Sequence, residues 1–273
     1  MWHKALMALL FGLVEGVSEW LPISSTGHLI LVEHFLDFGV SDEFFELFEV
    51  VIQLAAMLAV GVLFWGRLNP FSRRKSRAER RKILSLWGLC LLATLPSAVV
   101  GLILDDFLDA HLYRASVVAL TLILYGAVFI LIERRRSREA LILETEAITP
   151  RTAMLIGCFQ LLALIPGTSR SGATILGGIT LGLARPAAAE FSFFLGIPTM
   201  LGAGLLKGAK FCLSGNRLSA EEGVLLALAS LAAFAVSLFA IRFLMDFVRR
   251  HSFVAFGVYR ILLGTAVLIV TLL

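Results

Sequence analysis

The sequence predicts an all-α integral membrane protein, with six transmembrane helices and two re-entrant helix–loop–helix hairpins arranged as an inverted repeat. Three observations predict it. The 273 residues are 59% hydrophobic and only 16% charged, with mean hydropathy +0.90, whereas a soluble domain is nearer ~45–50% apolar and ~25% charged. Six apolar stretches have about the 20 residues that a bilayer crossing requires. Two further apolar regions are interrupted in the middle by proline, glycine and polar residues.

The first interrupted region, 4–38, breaks at Pro22 and Gly27. Each half is too short to cross alone, so the segment enters and leaves by one side. Irregular backbone of this kind is tolerated at membrane depth only when buried in protein or lining a cavity. Met1 to Val14 faintly resembles a signal peptide, but Glu15 and Glu19 stand where a small-residue cleavage site belongs, so the segment reads as mature protein. Spans follow at 48–65, 83–104 and 115–132. The second interrupted region, 153–184, breaks at Pro166-Gly167 and at Gly172, and spans at 190–211 (despite Pro198), 223–245 and 253–273 come after it.

Charge orients these elements. Eight Lys or Arg lie between Arg67 and Lys82, and four more between Arg134 and Arg138. Both clusters fall on one side, which the positive-inside rule makes cytoplasmic. With 153–184 re-entrant, Arg249-Arg250 also falls inside and both termini outside; as a single pass it would place that pair outside. The net charge of +4 therefore reflects orientation rather than nucleic-acid binding. Cys90, Cys158 and Cys212 lie apart in apolar sequence and read as small buried hydrophobes, not as a disulfide framework or zinc site.

The halves, about 1–140 and 150–273 of a single membrane domain (1–273), match each other. An offset of 145 aligns Gly12 with Gly157, Glu15 with Gln160, Ser24 with Ser169, Gly27 with Gly172 and Leu31 with Leu176. A hairpin plus three spans is an odd number of crossings, so the second copy is inverted. Inverted repeats with broken helices place their site near the midplane, where the discontinuities meet.

Ionisable residues at that depth are functional by default. Glu15 and Glu19, four apart, share a helix face; they repel unless one holds a proton or both hold a hard cation such as Mg²⁺ or Ca²⁺. Ser24, Ser25, Thr26 and Gly27 form a turn into a new helix, whose hydroxyls and free N–H groups suit an anion. His28 follows three residues after Ser25, within reach of a proton transfer. In the second hairpin Gly167, Thr168, Ser169, Arg170 and Ser171 begin another helix, with Thr174 one turn on. Arg170 is a fixed bidentate donor for phosphate oxygens. Each group has a plainer role available: Ser24 or Ser25 as a helix cap, Arg170 reaching for a headgroup, and Glu49, Gln53 and Arg260 pairing helices. No nucleotide-binding glycine loop, zinc-site helix or GxSxG elbow is present. The set points to phosphate chemistry without ATP.

The segment Glu15…Glu19-Trp-Leu-Pro-Ile-Ser-Ser-Thr-Gly-His28, with Pro166-Gly-Thr-Ser-Arg-Ser-Gly-Ala-Thr174, resembles the undecaprenyl-pyrophosphate phosphatase family of the bacitracin-resistance type. Both signatures, E/Q-x-x-x-E and P-G-x-S-R-S-x-x-T, are intact, and the resemblance extends through Phe48-Glu-Val-Val-Ile-Gln53 and Tyr259-Arg260. It implies removal of the terminal phosphate from undecaprenyl pyrophosphate, regenerating the carrier for cell-wall synthesis in a bacterial plasma membrane, at a site facing outward. It further implies a catalytic set of Glu15, Glu19, Ser25, His28 and Arg170, phosphate binding by Ser169 and Thr174, and a divalent ion. Ser25, His28 or a metal-activated water each remain open as nucleophile. A flippase for a polyprenyl phosphate lipid is the rival reading, because it would need the same anion-binding residues. The partners expected are the lipid substrate and membrane lipids; pairing as a homodimer is left open.

Overall fold

The computed structural model describes residues 2–36, 38–112, 114–135 and 140–272. Arg136 and Arg138 of the second basic cluster lie outside the described residues. The first interrupted region forms α1 (Trp2–Ser18) and α2 (Ser25–Phe35). Then come α3 (Asp42–Leu63), a short α4 (Trp65–Leu68), α5 (Arg77–Leu112) and α6 (Ala115–Arg135). The second forms α7 (Pro150–Gln160), a 3₁₀ turn (Leu161–Leu164) and α8 (Arg170–Thr180), before α9 (Arg185–Leu213), α10 (Ala220–Arg250) and α11 (Val254–Leu272).

Among the described residues six helices, α3, α5, α6, α9, α10 and α11, are long and apolar enough to cross a membrane, at the positions the hydropathy predicts. Several begin earlier than their apolar runs because a polar capping turn precedes the lipid-compatible part. Ser41 accepts from the Phe44 amide at 3.3 Å, with Asp42 and Glu43 in the first turn, where the helix dipole favours them. Ser219 and Glu222 cap α10 reciprocally, at 2.8 and 3.2 Å.

Both predicted breaks need one correction. The first falls between Ser18 and Ser25 and the second between Gln160 and Arg170, so Gly27 and Gly172 are not breaks but third residues of α2 and α8. Their amides donate to the N-capping hydroxyls of Ser24 (3.4 Å) and Ser169 (3.1 Å). An N-cap satisfied by its own helix continues that helix, which a count of glycines does not register.

Close backbone approach assembles the bundle. α1 packs on α10 and α7 on α5, each through a glycine that faces an alanine carbonyl. A Cβ on Gly12 would lie 2.2 Å from the Ala229 oxygen, and one on Gly157 would lie 2.3 Å from that of Ala93. In lipid such contacts replace the hydrophobic driving force between helices. We expect Gly12→Ala and Gly157→Ala to force these backbones apart, at about 1–3 kcal/mol each. Gly88→Ala has no atom within 4 Å and should leave the unfolding temperature in detergent unchanged or raise it. Equal shifts for all three would refute this account of the packing.

At the helix ends next to the basic segments, Glu133 of α6 accepts from Arg185 Nε (3.0 Å) and Nη2 (2.7 Å) and from the Phe253 amide (3.3 Å). Arg67 pairs with Glu190 and Glu146. These ties lock the spanning helices at one end. Between the other elements, the two broken segments meet.

Candidate active site

Glu19 is the junction of the two broken segments. It lies in the first break, 5% exposed, and its two carboxylate oxygens face opposite elements. Oε1 accepts from Arg170 Nη2 at 2.7 Å, and Oε2 accepts from the Ser25 hydroxyl at 3.1 Å. Ser25 is the first residue of α2 and Arg170 the first of α8. One carboxylate therefore links two helix N-termini, each carrying roughly half a positive charge from its aligned peptides. Ser171 adds a third tie, donating to the Glu19 carbonyl at 2.9 Å.

Arg170 is fixed from the other side by α9. Its Nη1 donates to the Ser192 carbonyl at 2.7 Å, and Thr174 bonds both the Arg170 carbonyl (2.9 Å) and the Ser192 hydroxyl (2.6 Å). Gly196 leaves room for the guanidinium, since a Cβ there would stand 2.6 Å from Nη1. Among the described residues the buried Arg170 Nε has no hydrogen-bond partner. Ser192 and Gly196 escape sequence reasoning, because a serine and a glycine in an apolar helix carry no signal until the arginine is placed beside them.

Ser24 and Ser169, the two N-caps, hold φ of 74° and 72°, a left-handed conformation costing about 1–3 kcal/mol in a non-glycine residue. They are equivalent under the 145-residue offset, and each caps the helix that starts at the next residue. Thr26 and Ser169 are partly exposed, whereas Ser24, Ser25, Ser171 and Thr174 are buried. Gly167, at φ 87°, sits where a side chain would strike Thr121 Oγ1, and its neighbour Pro166 presents a carbonyl to that hydroxyl at 2.7 Å.

His28 is oriented differently from the sequence expectation. Nδ1 lies 2.7 Å from the Ser24 carbonyl and Nε2 lies 2.8 Å from the Tyr259 hydroxyl, so Ser25 turns to Glu19 instead. A carbonyl only accepts, so Nδ1 bears a proton, and in the neutral ring Nε2 accepts from Tyr259. The rings stack at 5.6 Å with an 8° interplanar angle.

Glu15 is fully buried, and among the described residues both its oxygens lack a hydrogen-bond partner; Glu19, Glu49 and Arg170 interact with it electrostatically. Gln160, which the 145-residue offset aligns with it, is instead satisfied by Ser97 (2.7 Å) and Thr199 (3.2 Å). Among the described residues no group of three or more His, Cys, Asp or Glu gathers as a metal cluster, and Glu19 is engaged on both oxygens. Of the two carboxylates, Glu15 is the one whose oxygens would be left to hold a divalent ion.

The bacitracin resistance protein BacA family matches residues 8–266. The chain belongs to that family. Its BacA-family relatives include proteins named undecaprenyl-diphosphatase. The one from Streptococcus mutans (strain UA159) is 53% identical over 270 residues, covering 98% of this chain and 96% of the relative. That from Enterococcus faecalis (strain V583) is 50% identical over 258 residues, 94% of each. A third, from Streptococcus thermophilus (strain LMG 18311), is 51% identical over 266 residues, covering 97% of this chain and 92% of the relative.

Proposed function

We propose that this multi-pass membrane protein is an undecaprenyl-diphosphatase, releasing inorganic phosphate from undecaprenyl pyrophosphate and returning the monophosphate carrier to cell-wall synthesis. Bacitracin resistance accompanies that activity. The observation that carries the reading is the buried Ser25–Glu19–Arg170 relay between two helix N-termini. It joins a hydroxyl, a proton acceptor and a fixed cation, as phosphoryl transfer requires.

In this reading the pyrophosphate settles on the first amides of α2 and α8 and on the guanidinium of Arg170. Ser24, Thr26, Gly167, Ser169, Ser171 and Thr174 shape that cradle. Ser25 Oγ attacks the terminal phosphorus as its proton passes to Glu19, and the bond to the lipid monophosphate oxygen breaks. Arg170 and the amides stabilise the charge that develops on the transferring oxygens. Water then attacks the phosphoserine, its proton returning through Glu19, and inorganic phosphate leaves. His28, held by Tyr259, exchanges protons at the rim. A divalent ion on Glu15, Mg²⁺ or Ca²⁺, would neutralise pyrophosphate oxygens when bound.

An inverted repeat with re-entrant α1–α2 and α7–α8 hairpins within one membrane domain accounts for the swapped packing. The first-half hairpin leans on α10 and the second-half hairpin on α5, with left-handed N-caps at equivalent serines. Retention of the basic segments Arg67–Lys82 and Arg249-Arg250 in the cytoplasm supports placing both termini outside in a bacterial plasma membrane, with the site opening outward.

The test is phosphate release from undecaprenyl pyrophosphate by purified protein in detergent micelles, with and without a chelator. Release that depends on Mg²⁺ or Ca²⁺ is expected. A folded protein releasing no phosphate with either ion would overturn the hydrolase in favour of a lipid transporter.

A further inference from the structure

Arg260 is completely buried in the middle of α11, with no carboxylate paired to it in any salt bridge among the described residues. Its guanidinium reaches both breaks. Nη1 donates to the Pro22 carbonyl at 3.3 Å and Nη2 to the Gly167 carbonyl at 2.8 Å. Pro22 and Gly167 are equivalent under the 145-residue offset, so one planar fork holds the same point of both broken segments. The rings of Tyr125 and Phe129 stand 6.0 and 5.8 Å from the guanidinium carbon, near the limit for a cation over an aromatic face. Gly172 leaves it space, since a Cβ there would lie 3.3 Å from Nη1.

The base of this fork is rigid. One turn before Arg260, Gly257 faces Gly126 of α6 reciprocally, and a Cβ on either would lie 2.7 Å from the other's carbonyl oxygen. The α6–α11 pair also supplies Thr121, which holds the Pro166 carbonyl, and Tyr259, which holds His28. A buried cation without a carboxylate partner is costly. Helix pairing does not call for one here, because α6 and α11 already meet through glycine and alanine.

We infer that Arg260 is a positioning residue: it fixes the two helix N-termini at the separation across which Glu19 joins Ser25 to Arg170. The inference rests on the phosphatase reading for its catalytic consequence but not for its structural one. Misplacement by about 1 Å can cost roughly 100-fold in rate.

The variant is Arg260→Lys, which keeps the charge but has a single nitrogen in place of the planar fork. In micelles we expect kcat to fall roughly 10–100-fold with KM changing less than about threefold. Amide hydrogen exchange should rise at residues 19–24 and 161–169 together while the α6–α11 contact keeps its protection. Should the lysine variant fail to fold, Arg260→Gln supplies the same readouts. Wild-type kcat, or exchange unchanged at either break, would overturn the inference. If the wild type itself releases no phosphate, the phosphatase reading has failed, and the paired exchange change still decides whether Arg260 bridges the two breaks.

Discussion

Arg170→Ala is expected to lower kcat for phosphate release by roughly 10³–10⁵-fold, the range in which a charge-stabilising arginine contributes to phosphoryl transfer. The same change should destabilise the protein. Glu19 and Arg170 side chains are each only 6% exposed, and stripping one partner from a buried pair leaves a charge uncompensated, at about 3–5 kcal/mol. These effects separate in further variants. Arg170→Lys restores a charge for Glu19 but not the planar reach to Ser192, so the unfolding temperature should recover while activity stays low. Glu19→Gln combined with Arg170→Met removes both charges and should be more stable than Arg170→Ala, yet inactive. Phosphate release beside thermal unfolding in one detergent makes the comparison. Activity in Arg170→Met/Glu19→Gln near the wild-type level would exclude the relay.

Much of this was legible in the sequence, because hydropathy, charge bias and breaks are local signals. The six spans follow from apolar runs of spanning length, and Ser25, Glu19 and Arg170 from the cost of placing polar groups at depth. What connects them is not local. The Arg170–Glu19 pair joins residues 151 apart in the chain, and no periodicity reports which carboxylate an arginine meets. Arg260 was visible only as an odd charge inside the last span, compatible with ordinary helix pairing. Its role emerged when Pro22 and Gly167, themselves featureless carbonyls, were brought to its two nitrogens. His28 shows the same limit. Spacing put it within reach of Ser25, but a main-chain carbonyl one turn back and Tyr259 from α11 took both ring nitrogens. Main-chain acceptors are present at every position, so sequence does not single them out.

Ser25→Ala should remove activity by a comparable factor while leaving the fold intact, and this combination separates loss of the hydroxyl from loss of the structure. The helix cap belongs to the neighbour: Ser24 Oγ, not Ser25 Oγ, accepts from the Gly27 amide. Among the described residues Ser25 makes one side-chain bond, to Glu19, and Glu19 keeps Arg170 when that bond is lost. Stability should therefore fall by about 1–3 kcal/mol, the cost of a buried carboxylate oxygen that loses its donor, less than Arg170→Ala costs. Ser24→Ala is the converse control; it loses the cap, at about 1 kcal/mol, but keeps the nucleophile. The direct observation is chemical. Substrate labelled in its terminal phosphate, quenched within a turnover, should leave label on the wild-type protein at Ser25 and none on Ser25→Ala. If Ser25→Ala turns over normally, the attacking oxygen is water or the nucleophile is His28. Label on His28 would then require Nε2 to leave Tyr259, so Tyr259→Phe would speed that labelling rather than slow it. Label on Ser25 with an inactive Ser25→Ala points to Glu19 as the acceptor of its proton, the group to which the hydroxyl donates.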